Sequence, residues 1–368
     1  MRVLLTGGGT AGHINPAVAI AKYIKEMEKD AEFLFVGTEK GLEKTLVPKE
    51  GFDIKFVKVS GLKRKLTLEN LKVFMQFITS KIEAGKIIDN FKPDIVIGTG
   101  GYACVPAIGA AHRRGIPTII HEQNVHPGLA INMLAKKADV TMISFPETEK
   151  LIDAKACALT GNPLRPNLFD EVDVESVRNE YGFDSKPIVL FFGGSLGAER
   201  MNDALVDMLA MGFEGFNLIA ATGEKHFEKI TARLEEKNVD YKGMTNLALL
   251  PYIYNMNEVL GAANMAICRA GAITISELNA LGKASVLIPS PYVAHNHQEQ
   301  NARYLEKNGA AKVLLESALS GESLKGAILD VLSDRESLIK MRDCSLKIGQ
   351  RDACAKIYAI VKELVKDR

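Results

Sequence analysis

Short apolar runs alternate with amphipathic stretches of helical period along the whole chain, and this rhythm constrains the fold more than any other feature. Strands are predicted at Val3–Leu5, Glu32–Val36, Ile95–Ile97, Pro117–Ile120 and Val140–Ile143, with helices from Pro16 to about Lys29, after Val105 and near Ala130–Lys137. The pattern then repeats. Strands are predicted at Ile188–Phe192, Asn217–Ala221, Met265–Ile267 and Ala284–Ile288, and helices from about Met201, over Phe227–Lys237 and from about Thr274. Strands separated by helices imply parallel sheets built from βαβ units.

A chain of 368 residues exceeds what one core usually supports, so two domains are expected. The stretch TGNPLRPNLFD, Thr160 to Asp170, carries two prolines that fit neither a helix interior nor a central strand. The boundary is placed there. The expected domains are 1–160 and 161–350, with 351–368 a C-terminal amphipathic helix packing back on the first domain. Net charge is +1, which argues against a nucleic-acid partner. Residues 1–160 nevertheless hold 22 Lys+Arg against 17 Asp+Glu, a balance that suits an anionic ligand or membrane surface. Five scattered cysteines fit a reducing cytoplasm, and no stretch reads as a signal peptide or a membrane span.

Three glycine-rich turns each follow a predicted strand and precede a predicted helix: GGGTAGH (7–13), GTGGYACVP (98–106) and GGSLGAE (193–199). Ligands of open α/β sheets bind at such strand ends, where glycine lets the backbone approach an anion. The first turn does not fit GxGxxG, no acidic residue ends the second strand, and GxxxxGK[ST] is absent. A dehydrogenase and a P-loop nucleotidase are therefore disfavoured.

Residues 268–291, CRAGAITISELNALGKASVLIPSP, carry the most specific signal. Glu277, expected in the first helical turn, could merely complement the helix dipole. Alternatively, it could accept both hydroxyls of a ribose. Downstream, Gln298 and Asn301 are candidates for sugar hydroxyls. His295 and His297 lack a third metal ligand nearby, so no metal site is expected.

With these strings the chain resembles the GT-B glycosyltransferases of family 28, which build the peptidoglycan precursor. GGGTAGHINPAVAIA, GTGGYACVPAIGAA, HEQNVHPGLAIN, LTGNPLR, FGGSLGA and CRAGAITISELNALGKASVLIP follow that pattern in order over the whole chain. The resemblance implies two Rossmann-like parallel-sheet domains facing a cleft. It also implies transfer of N-acetylglucosamine from UDP-N-acetylglucosamine to the muramic acid C4 hydroxyl of lipid I (undecaprenyl-pyrophosphoryl-MurNAc-pentapeptide), forming lipid II without cofactor or metal. The expected location is the cytoplasmic face of the plasma membrane, on an anionic membrane surface and alongside cell-wall synthesis and division proteins.

Carried over by position, the resemblance assigns donor contacts to Thr10, Ala11, Gly12, Asn124, Arg165, Ser195, Ile253, Ala272, Ile273, Thr274, Ile275, Ser276, Glu277 and Gln298. Some family members have glutamine where His297 stands. Gly98, Thr99, Gly100 and Gly101 would hold the acceptor diphosphate. His13 is the candidate base, since a histidine at a helix N-terminus is mostly neutral near pH 7. The alternative is that His13 only bonds a loop carbonyl or substrate, and Glu122 or His121 is the base. The stretch GLKRKLTLENLKVFMQFITSKI offers Lys63, Arg64 and Lys65 beside Leu71, Phe74, Phe77 and Ile78. It reads as an interfacial patch or as a helix packed on its own domain. Rival readings are a glycolipid glucosyltransferase, a UDP-N-acetylglucosamine 2-epimerase of the same superfamily, or a binding scaffold without turnover.

Overall fold

The computed structural model describes residues 1–59, 68–194 and 197–366, with side chains inside the helix that starts at Leu68 described at Gln76 and from Ile78 onward. The chain forms two compact units, Met1–Leu164 with Gln350–Arg368, and Arg165–Gly349.

The first unit contains strands β1 (Arg2–Thr6), β2 (Glu32–Gly37), β3 (Ile54–Phe56), β4 (Ile95–Gly98), β5 (Thr118–Glu122), β6 (Val140–Ile143) and β7 (Cys157–Leu159). Its helices are α1 (Ala11–Met27), α2 (Glu43–Lys49), α3 (Leu68–Phe91), α4 (Cys104–Arg113) and α5 (Leu129–Ala135). The strands pair in parallel in the order β3-β2-β1-β4-β5-β6-β7. Period-two alternation sends Val3 and Leu5 to one face, against Ile14, Ile20 and Ile24 of α1. Leu4 goes to the other face, against Ile108 and Ala111 of α4. The C-terminal segment closes the first face. Ile357 and Val361 join the α1 core, and the Tyr358 hydroxyl donates to Glu28 at 2.7 Å.

The second unit runs α6 (Val174–Tyr181), β8 (Ile188–Phe192), α7 (Glu199–Ala210), β9 (Asn217–Ala221), α8 (Glu224–Glu236), β10 (Leu247–Leu250), α9 (Met256–Ala262) and β11 (Met265–Cys268). It continues with α10 (Ala272–Ala280), β12 (Ala284–Leu287), α11 (His297–Lys307), β13 (Lys312–Val313), α12 (Gly321–Leu332) and α13 (Arg335–Ile348). The final helix, α14 (Ala353–Lys366), belongs to the first unit. The six strands order as β10-β9-β8-β11-β12-β13, all parallel. Both sheets reverse winding direction beside their first strand, between β1 and β4 and between β8 and β11. Doubly wound sheets bind ligands at such switch points.

Two helix starts differ from the sequence expectation. α1 begins at Ala11 rather than Pro16, because Thr10 already has the extended backbone of an N-cap (φ −134°, ψ 155°). Pro16 is accommodated inside the helix, where its fixed φ fits and only the Gly12 carbonyl loses its usual partner. His13 is therefore a helical residue of the first turn. α10 begins at Ala272, two residues before Thr274, so Glu277 falls in the second turn and its first-turn dipole role is lost. Strands β3, β7, β10 and β13 were not anticipated. They span two to four residues, too few to show a period.

Candidate active site

In the first unit the turns after β1 and β4 interlock around His13. The Gly8 N–H donates to the Gly100 carbonyl at 3.3 Å, and the Thr99 N–H to the Thr6 carbonyl at 2.8 Å. The Thr99 hydroxyl donates to the His13 carbonyl at 2.7 Å. Gly100 has φ +109° and packs against the His13 ring, while a β-carbon at Gly101 (φ +80°) would collide with the Gly8 carbonyl. These two positions require glycine both for their backbone and for their closeness. His13 is half-buried, and its Nδ1 lies 3.0 Å from the Gly8 carbonyl oxygen and 3.4 Å from the Thr10 hydroxyl. A carbonyl can only accept, so Nδ1 carries a proton. Thr10, Ala11 and Gly12 form the N-cap and first two residues of α1 beside this ring.

The HEQN stretch supports that arrangement from beneath. The Gln123 side-chain amide donates to the Thr99 carbonyl at 2.8 Å and stands 3.0 Å from His121 Nδ1. His121 Nε2 donates to the Gly161 carbonyl at 2.9 Å, so both of its ring nitrogens are engaged inside the unit. Burial lowers its pKa to about 4, against a weaker opposing effect of the Gly161 bond. The Glu122 carboxylate is buried too. It accepts from the Asn124 N–H (2.9 Å), the Asn124 amide (3.1 Å) and the Gly128 N–H (2.8 Å). Burial raises its pKa, and those hydrogen bonds oppose the rise. Asn124 is thereby fixed in the loop after β5. Cys104, buried with its thiol pushed up to about 12, accepts from the Gly100 N–H and donates to the Thr6 carbonyl, both at 3.2 Å.

In the second unit, Arg165 and Glu277 come together although 112 positions separate them, with Nη2 3.1 Å from Oε1. The Glu277 side chain is 14% exposed, and burial raises its pKa while Arg165 lowers it. Ala272, Ile273, Thr274, Ile275 and Ser276 form the first turns of α10, behind an N-cap at Gly271, which has no side chain to cap the helix. Such a helix end is suited to a phosphate. Gln298 lines a pocket with Gly193, Gly194, Gly197, Arg269 and Ser290, and its Oε1 accepts from the Ser290 N–H at 2.9 Å. Arg269 is held by Glu316 and by the Ile288 carbonyl. Ile253 is buried in the loop after β10. Asn301, by contrast, has no surface exposure and donates to the Ala270 carbonyl at 3.2 Å, which makes it a support for the turn before α10. Among the described residues no group of three His, Cys, Asp or Glu side chains could hold a metal ion.

Ser195, Lys63, Arg64 and Lys65, and the side chains of Leu71, Phe74 and Phe77, lie outside the described residues. Ile78 is described and 42% exposed. One residue escaped sequence reasoning altogether. Glu43 is fully buried beneath the first glycine turn. It sits in the charged run GTEKGLEKTLVPKE, which reads as a solvated surface, and only the flanking Gly37 and Gly41 hint otherwise.

The Glycosyltransferase family 28 N-terminal domain matches residues 3–143, and the Glycosyltransferase family 28 C-terminal domain matches residues 188–357. The chain is 46% identical over 372 residues to the UDP-N-acetylglucosamine--N-acetylmuramyl-(pentapeptide) pyrophosphoryl-undecaprenol N-acetylglucosamine transferase of Acetivibrio thermocellus, covering 100% of this chain and 99% of that one. It is 45% identical over 365 residues to the same-named protein of a Thermoanaerobacter species, covering 99% and 100%. Among solved structures, Acinetobacter baumannii MurG matches with a TM-score of 0.79 at 28% identity, over 98% of this chain and 99% of that one. A UDP-N-acetylglucosamine 2-epimerase matches with a TM-score of 0.68 at 14% identity, over 100% and 96%, a likeness of fold alone.

Proposed function

The chain belongs to glycosyltransferase family 28, and on that premise we propose that it moves N-acetylglucosamine from UDP-N-acetylglucosamine to the muramic acid C4 hydroxyl of lipid I, forming lipid II. The observation that carries the mechanism is the enclosure of His13 by two glycine turns, with Nδ1 committed to the Gly8 carbonyl.

The reaction is a single displacement with inversion. His13 Nε2 takes the proton of the acceptor hydroxyl as its oxygen bonds to the anomeric carbon. The bond from that carbon to the UDP oxygen breaks, and the diphosphate leaves with the electron pair. Backbone N–H groups at the start of α10 and in the turn at Gly193–Gly197 stabilise the departing charge. Ser195 takes part in that turn by resemblance. Glu277, steadied by Arg165, accepts the ribose hydroxyls. The Ile253 backbone meets the uracil, and Gln298 bonds the sugar. Thr10, Ala11, Gly12 and Asn124 complete the donor contacts. Gly98, Thr99, Gly100 and Gly101 receive the acceptor diphosphate. Glu122 stays an organiser of its loop rather than the base, because three donors occupy its carboxylate.

A lipid-linked acceptor requires a membrane surface. No described helix is long and apolar enough to cross a membrane. Peripheral attachment on the cytoplasmic face is what the family resemblance and the lipid-linked acceptor support. Exposed i, i+4 apolar pairs, Ile78 with Ile82 on α3 and Leu129 with Met133 on α5, support an interfacial role, and the basic run Lys63, Arg64 and Lys65 precedes α3 in the sequence.

The test is UDP release from UDP-N-acetylglucosamine with and without a lipid I analogue, with the product's anomeric configuration read by NMR. Acceptor-dependent release with a β-linked product supports the reading. Release that is independent of acceptor points instead to hydrolysis or epimerisation.

A further inference from the structure

Glu43, the first residue of α2, is a buried carboxylate with no part in the mechanism above. Its Oε2 accepts the Gly9 N–H at 2.9 Å. Its Oε1 accepts the N–H and the hydroxyl of Thr38, both at 2.8 Å. All three are uncharged donors, which suits a carboxylate that accepts on both oxygens. The chain leaves space for this one side chain at three separate glycines. A β-carbon on Gly8 would stand 2.5 Å from Glu43 Oε1, one on Gly37 would stand 2.5 Å from its Cγ, and one on Gly41 would strike the carboxylate.

The Gly9 N–H and the Gly8 carbonyl belong to one peptide group. Its N–H points to Glu43 and its carbonyl to His13 Nδ1 at 3.0 Å. We propose that Glu43 is a positioning residue for His13, acting through the Gly8–Gly9 peptide group. The negative carboxylate polarises that peptide, the carbonyl becomes a stronger acceptor, and the Nδ1–H tautomer and ring orientation are held. A carboxylate touching a histidine directly does the same in a hydrolytic triad, but here one peptide unit intervenes. The inference rests on His13 being the base.

Three features separate this role from simple packing. The carboxylate bonds the same peptide that bonds the imidazole. Both bonds have ordinary length. The Thr38 contacts fix the other oxygen, so the carboxylate cannot swing away from Gly9 without losing two further bonds.

The test is a double-mutant cycle of Glu43→Gln and His13→Ala, with kcat, donor KM and thermal stability measured for each protein. Glu43→Gln should lower kcat by about 10-fold or more, with donor KM changed by less than ~3-fold, as for other residues that orient a working histidine. In the His13→Ala background the same change should cost less than ~3-fold, because its effect runs through the missing ring. An equal loss in both backgrounds overturns the proposal and makes Glu43 a purely structural residue. Should Glu43→Gln fold poorly, imidazole NMR of isotope-labelled wild-type protein still bears on the question. A proton on His13 Nδ1 agrees with the proposal, and a proton on Nε2 alone contradicts it. If His13→Ala keeps full kcat, the base assignment fails by itself, whereas a change of the His13 tautomer between wild type and Glu43→Gln still reports the coupling to Glu43, and an unchanged tautomer contradicts it.

Discussion

Gly100 lies against the imidazole of His13 so closely that a β-carbon there would stand 2.7 Å from Cδ2 and 3.0 Å from Nε2. The second glycine turn thus forms a wall of the site built around the first. Gly100→Ala must either displace the ring or open the turn, and its φ of +109° is strained for alanine in any case. The expected cost is about 1–3 kcal/mol of stability and about a tenfold or larger loss of kcat. Thermal unfolding and steady-state kinetics on the same preparation check this. A fully active Gly100→Ala would show that His13 has room to spare.

Glu277 and Arg165 should act on donor binding rather than on turnover. If Glu277 accepts the ribose hydroxyls as proposed, Glu277→Ala should raise donor KM by about tenfold or more with kcat changed only a few-fold. Burial already raises the Glu277 pKa, and Arg165 holds it down. Arg165→Met should therefore weaken donor binding as pH falls, beginning at a higher pH than in the wild type. Calorimetric titration of UDP-N-acetylglucosamine across pH 5 to 8 measures the difference, and identical pH profiles would refute it.

Acid stability should depend on His121. Its folded pKa is lowered to about 4 from 6.5, so between those values the unfolded chain binds more protons than the folded one. Stability from this group is complete above about pH 6.5 and is lost as pH falls toward 4, up to about 3 kcal/mol in all. Urea unfolding at several pH values should show this slope in the wild type and a flatter one in His121→Gln, even where the variant is less stable at pH 7.5.

The sequence made some features legible and hid others for physical reasons. Strands β1, β4 and β8 stand out because buried apolar runs end abruptly in glycine, whereas the strand order that creates the two switch points is set by long-range pairing that no local pattern encodes. Strand β13, two residues long, carries no periodic signal. The start of α1 was obscured by Pro16, which usually opens a helix but here sits inside one. His121 stood out as a chemically able residue, yet its partner Gly161 lies forty positions away, and only strand pairing shows that both its nitrogens are occupied. Glu43 was hidden by its charged neighbours, since a carboxylate satisfied by backbone donors leaves no opposite charge to find in the sequence.

Binding to the membrane should be electrostatic in part. Vesicles containing anionic lipid should retain the protein at low salt and release it as salt rises. Replacing Lys63, Arg64 and Lys65 with glutamine should weaken binding by about 1 kcal/mol per residue. Co-sedimentation over a salt series checks this, and salt-independent binding would leave the basic cluster without a role.

The central claim is that His13 removes the acceptor proton, and His13→Ala tests it most directly in the acceptor-dependent UDP-release assay. With His13 as the base, kcat should fall by about 100-fold or more, donor KM should stay within a few-fold, and the unfolding temperature should be nearly unchanged. A kcat within a few-fold of wild type, in a protein that remains folded, would contradict it.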